Sequence, residues 1–121
     1  MNTLQKKVLL VESNPQFRSL LATFFSGDFS VAIARSDIEA WRMLRADYTP
    51  NVMLVGLNQI SDKIEILEHL RSNALFSDIP IVLLSERPEA FAKNARSGWE
   101  IYGKPVDLLQ LNKRLKEITA Q

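Results

Sequence analysis

Lys7-Val8-Leu9-Leu10-Val11, followed at once by Glu12-Ser13-Asn14-Pro15-Gln16-Phe17, sets the pattern from which the fold is read. The first run is aliphatic with no apolar/polar alternation, which suits a strand covered on both faces. The chemistry then changes. Asn14 can cap a helix, Pro15 belongs at a first helical position, and Phe17, Leu20, Leu21, Phe24 and Phe25 recur at helical spacing until Gly27. The stretch reads as one strand feeding one amphipathic helix.

Working outward, the same unit recurs along the chain. Val52 to Val55 is a second continuous aliphatic run, and Ile79 to Leu84 a third, broken only by Pro80. Phe29 to Ala34 and Trp99 to Tyr102 are more mixed, as edge strands are. Between the runs, Ser36 and Glu39 form a capping box ahead of Ala40, Trp41 and Leu44. Ile64, Leu67 and Leu70 mark a third helix, Pro88 and Gly98 bracket a fourth, and Asp107 caps a fifth that carries Leu108, Leu111, Leu115 and Ile118. Strand followed by helix, repeated in this way, requires right-handed crossovers. The expected fold is a doubly wound α/β domain, a parallel sheet with helices on both faces.

Composition narrows the function. The 121 residues suffice for one domain, 1–121, and 46% hydrophobic residues predict a packed core. Fifteen Lys and Arg against fourteen Asp and Glu remove the field argument for nucleic acid or an anionic membrane as partner. The apolar runs are far shorter than the roughly 20 residues of a membrane span, and the polar start gives no signal peptide, so a cytoplasmic location is expected. With no cysteine and one histidine, His69, the chain offers no thiol nucleophile and no Cys/His metal cluster. His69, beside Leu70 and Arg71, reads as a solvated helix residue.

In doubly wound sheets ligands bind beyond the carboxyl ends of the strands. The residues there are Glu12, Ser13 and Asn14, Gly56 to Ile60, Ser85 and Glu86, and Gly103 to Pro105. A carboxylate, a hydroxyl and the Lys104 ammonium converge. An ammonium and a hydroxyl facing one pocket are what an anion such as phosphate requires.

On these residues the chain resembles, over essentially its whole length, the response-regulator receiver family, the phosphoacceptor domains of two-component signalling. Val8-Leu9-Leu10-Val11-Glu12 is similar to the family's first strand and the start of its acidic pair. Ile79-Pro80-Ile81-Val82-Leu83-Leu84-Ser85 is similar to its fourth strand and switch Ser/Thr, and Lys104-Pro105 to its Lys-Pro. The resemblance implies a flavodoxin-like sheet in the order 2-1-3-4-5 and a cis Lys104–Pro105 bond.

Against that pattern the departures carry the functional reading. Ser13 replaces the second member of the acidic pair that holds a divalent ion in the family. Gly56 stands where the family has its phosphoacceptor aspartate, and a glycine has no side-chain oxygen to attack a phosphodonor or ligate a metal. The family's Met-Pro after the acceptor is also missing, and Glu86 replaces a small residue, bringing a second carboxylate to the mouth of the pocket. No enzyme activity, metal or cofactor is expected. Lys104 is expected to pair with Glu12, Glu86 or both. Ser85 and Lys104 read either as structural relics or as a retained anion site, and Gly56 either as a side chain lost with its duty or as room for a ligand.

Two functions follow. One is a pseudo-receiver that binds a signalling protein, or itself as a homodimer, without phosphorylation. The other is a small-anion or nucleotide-binding module in the remnant pocket. For the first, the resemblance implies a partner surface on the fourth helix, fifth strand and fifth helix, with Phe91, Trp99, Ile101 and Tyr102 as its aromatic and apolar residues, Phe91 and Trp99 as candidate anchors, and core packing able to claim some of them instead. The chain reads equally as a stand-alone adaptor or as a piece of a longer protein.

Overall fold

The computed structural model describes residues 5–57, 64–89 and 99–120, the side chains of 64–67 excepted. Along them run β1 (Lys7–Val11), α1 (Pro15–Phe25), β2 (Ser30–Ala34), α2 (Asp37–Arg45), β3 (Val52–Leu57), α3 (Ile64–Ser72), β4 (Ile81–Ser85), β5 (Trp99–Gly103) and α4 (Leu108–Thr119). The helix expected between Pro88 and Gly98 falls mostly on residues 90–98, outside the described residues, and so do Phe91 and the Asn58–Ile60 loop.

All strand pairs are parallel, and the sheet order is β2-β1-β3-β4-β5. The two mixed runs are the two edges, as their sequences indicate. Central β1, β3 and β4 are buried almost residue for residue, whereas every residue of β5 is half-buried.

Because successive strand residues face opposite sides, each central strand feeds two cores. Val8, Leu10, Val52, Leu54, Val82 and Leu84 pack with Leu21 and Phe25 of α1 and Leu111 and Leu115 of α4. Leu9, Val11, Met53, Val55, Ile81 and Leu83 pack on the other face with Ala40 and Leu44 of α2 and Leu70 of α3. Truncating one of these, for example Leu54→Ala, would cost about 2–5 kcal/mol. Trp41 is half-buried against the second cluster and meets the Phe76 ring edge-on at 5.5 Å.

The caps behave as their sequences require. Asn14 Oδ1 accepts from Phe17 N at 2.9 Å, Ser36 Oγ from Glu39 N at 3.1 Å, and Asp107 Oδ1 from Gln110 N at 3.1 Å. Glu39 reaches back to the amide of Arg35, one residue before the cap. β3 is longer than the aliphatic run that marks it. Gly56 and Leu57, expected in the following loop, pair with Leu84 and Ser85, because ladder hydrogen bonds need only backbone.

Candidate functional site

The β1/β3 register pairs Val8 with Val52 and Val11 with Val55, so one step further along Glu12 lies beside Gly56. Both residues continue the rows Val8–Leu10 and Val52–Leu54, on the α1 side of the sheet. Glu12 is fully buried, and its amide donates to Ala34 O at 3.1 Å. Its carboxylate turns into the space above Gly56: a Cβ built on the glycine would lie 1.8 Å from Glu12 Oε1 and 2.8 Å from Cδ. The glycine is therefore a matter of room here. Any side chain at 56 and this carboxylate exclude each other.

A buried carboxylate needs partners. Oε2 accepts from Asn14 N at 2.9 Å, and Oε1 lies 3.7 Å from Lys104 Nζ. The lysine side chain is 13% exposed, and its ammonium sits 4.8 Å from the centroid of the Phe17 ring. Charge pairing on one side and a ring face on the other hold it without a diffusible anion. Lys104 N donates to Ser85 O at 2.8 Å, which ties the end of β5 to the end of β4, and the Lys104–Pro105 peptide is cis.

Ser85 is buried, and its hydroxyl accepts from Arg87 N at 3.0 Å, closing a local turn. Glu86 is exposed and lines an open cleft of about 550 Å³ with Asn14, Phe17, Lys104 and Pro105. Ser13 is exposed, and its carbonyl and that of Glu12 accept from Arg18 Nη1. The structure thus brings Glu12, Gly56 and Lys104 together, reaches Ser85 through the backbone, and leaves Ser13 and Glu86 on the rim. Of the pairings expected for Lys104, the one with Glu12 is formed. Asn14, expected at the end of the first strand, is part of the site, and Phe17 belongs to it although sequence reading gave it only a place in the helix's apolar stripe. An aromatic residue in the first turn after β1, opposite the lysine, was the signal available.

Solved structures with this architecture include a sensor protein from Polaromonas sp., with a TM-score of 0.82 at 22% identity over 95% of this chain and 96% of that one. A response regulator receiver protein from Sinorhizobium medicae also gives a TM-score of 0.82, at 18% identity over 96% of this chain and 95% of that one. The fold is the receiver fold. No family model matches the sequence. Among curated proteins the chain is 33% identical over 82 residues to Response regulator Rre1 of Synechocystis sp., covering 66% of this chain and 36% of that protein. It is 29% identical over 116 residues to Regulator of RpoS of Escherichia coli, covering 93% of this chain and 33% of that protein. The chain thus spans about a third of the length of the curated relatives it matches.

In a receiver fold with the family's chemistry, the resemblance implies a divalent ion held near the end of β1. The residues present do not fit one. Glu12 Oε2 is taken by an amide and Oε1 faces an ammonium, Gly56 has no side-chain oxygen to offer, and Ser13, which is exposed, supplies a neutral hydroxyl in place of a carboxylate. Among the described residues no three Asp, Glu, His or Cys side chains converge as a metal group, and no helix is long and apolar enough to cross a membrane.

At the β5 edge, the expected partner surface is partly claimed by packing. Trp99 and Ile101 are half-buried against the α2/α3-side core, and Tyr102 against the α1/α4-side core. Tyr102 donates to Glu100 Oε1 at 2.9 Å, and Glu100 is clamped by Arg114 of α4. The Arg114 guanidinium holds the Glu100 carboxyl below the usual carboxylate range, against a smaller opposing effect of burial. Burial and then the Glu100 carboxylate push the Tyr102 hydroxyl up.

Proposed function

We propose that this chain is a receiver domain of two-component signalling that works without aspartyl phosphorylation, as a protein-interaction module whose phosphate pocket is closed from within. The observation that carries the reading is the Glu12 carboxylate lying in the volume of the missing side chain at Gly56 while facing Lys104. Phosphoryl transfer needs an in-line nucleophile and a metal ion to offset charge on the transferred group. Gly56 supplies no nucleophile, and Glu12 is committed to the amide of Asn14 and to Lys104. Two relatives are named as a response regulator and as a regulator of RpoS, and several similar structures as receiver domains, which supports the signalling context. The anion-binding alternative gains nothing from the site, since the lysine that would attract an anion already faces a carboxylate and Glu86 adds negative charge at the mouth.

The test is the amide NMR spectrum recorded with magnesium and then with magnesium and acetyl phosphate. The reading predicts no saturable shifts at Glu12, Gly56, Ser85 or Lys104. Saturable shifts there with magnesium alone would show a working metal site and overturn it.

A further inference from the structure

Arg114 and Arg71 present the same edge of the guanidinium and meet opposite fates. At Arg114, Nε donates to the two carboxylate oxygens of Glu100 at 2.9 and 3.0 Å, and Nη2 donates to the same group. At Arg71, Nε and Nη2 are buried with no hydrogen-bond partner among the described residues. Its guanidinium carbon lies 5.0 Å from the centroid of the Trp99 ring. Cationic donors shut away from water without an acceptor are destabilising, and stacking on an indole offsets only part of that.

Arg71 also lines a cleft of about 110 Å³ with Phe76, Ser77, Asp78, Pro80 and Trp99. Trp99 and Ile81 open their strands and Arg71 lies in the last turn of α3, so the cleft is at the end of the sheet opposite Glu12 and Lys104. It does not depend on the function proposed above.

We propose that the Arg71–Trp99 cleft is a carboxylate-binding site. The Nε/Nη2 edge is a planar fork that matches the two oxygens of a carboxylate, as the Arg114–Glu100 pair demonstrates within the same chain. Trp99, Phe76 and Pro80 supply apolar walls for a short aliphatic stem, and the space admits few atoms beyond the head group. Asp78 on the lining disfavours a dianion such as phosphate, which it would repel, and leaves a singly charged acid as the better fit. The fork is covered in the free protein, so binding turns the long Arg71 side chain toward the cleft and exchanges an unpartnered edge for a paired one.

The experiment follows the Arg71 side-chain Nε–H and the Trp99 indole N–H of the intact chain by NMR. The probes are acetate, acetyl-Ala-Glu-Ala amide and the corresponding Gln peptide. Both resonances should move and saturate with a carboxylate probe and stay in place with the Gln peptide at the same concentration. Saturation by acetate as well as peptide identifies a small acid as sufficient, and saturation by the peptide alone identifies an acidic side chain of a partner; either supports the site. Arg71→Lys, which keeps the charge and loses the fork, should weaken binding about tenfold or more. No saturable shift with any carboxylate probe, equal shifts with the Gln peptide, or unchanged affinity in Arg71→Lys would overturn the proposal.

Discussion

Glu12 stands in the room that residue 56 leaves: its Oε1 is 1.8 Å from where a Gly56 Cβ would be, and the same oxygen faces Lys104 at 3.7 Å. The carboxylate that meets the lysine comes from the residue after β1, and the neighbouring strand β3 contributes the absence of a side chain. The arrangement explains how a buried cation and a buried anion coexist at the end of a hydrophobic sheet without a metal: each is the other's counter-charge.

The exclusion between the two positions is measurable as coupling. Gly56→Ala should destabilise the domain by about 1–3 kcal/mol, because the new methyl collides with a carboxylate held by an amide and an ammonium. In a Glu12→Ala background the same substitution should cost close to nothing. Urea unfolding of the two singles and the double gives the coupling; equal penalties in both backgrounds would mean that Glu12 moves aside freely.

Lys104 and Glu12 should respond unequally to losing each other. Lys104→Met leaves a fully buried carboxylate facing methyl groups and should cost about 3–5 kcal/mol. Glu12→Gln leaves an ammonium that is already 13% exposed and lies over Phe17, and it can reach water along its flexible stem. Its cost should be smaller by at least about 1 kcal/mol. Denaturation midpoints of the two variants, compared at neutral pH, check the order.

At the β5 edge of the sheet, the clamp of Glu100 by Arg114 carries a pH signature. The folded-state pKa of Glu100 is lowered, so its contribution is present above the unfolded carboxyl value and is lost as pH falls through the folded one. Glu100→Gln should therefore lower stability at pH 7 and lose less than the parent chain between about pH 5 and pH 3. Parallel acid limbs of the two stability profiles would count against the clamp.

How much of this was legible beforehand depends on the kind of signal. The strand-helix alternation, the two edges and the caps at Asn14, Ser36 and Asp107 were readable because aliphatic runs, helical periods and capping residues act locally, whereas the sheet order was implied by the family resemblance. The membership of Gly56 in β3 was not, since a glycine ends an apolar pattern without ending a ladder. The Glu12–Lys104 pair could be expected, but that the glutamate fills the volume at 56 follows from a register between strands more than forty positions apart, which spacing alone does not give. Trp99 reads in sequence as either a partner anchor or a core residue; in the fold it is half-buried and lies against Arg71, a cross-element contact with no sequence mark. For that reason Trp99→Ala would report on packing as much as on any partner.

Restoring an acceptor should require clearing Glu12 as well as supplying oxygen. Gly56→Asp alone places a second carboxylate into occupied space, and adding Ser13→Asp and Glu86→Ala supplies a metal ligand and opens the mouth without removing the collision. Adding Glu12→Asp shortens the intruding side chain by one methylene. Phosphoryl labelling should rise in that order, with the variant carrying all four substitutions highest, and equal labelling of Gly56→Asp alone would refute the steric part of the account.

The most direct measurement is the intact mass of the unmodified chain after incubation with acetyl phosphate and magnesium, with the fourfold variant alongside as the responsive control. The account predicts no phosphoryl adduct on the unmodified chain, because the acceptor position holds a glycine and its space holds a carboxylate already paired with Lys104. A single stoichiometric adduct on the unmodified chain, lost in Glu12→Gln, would contradict it.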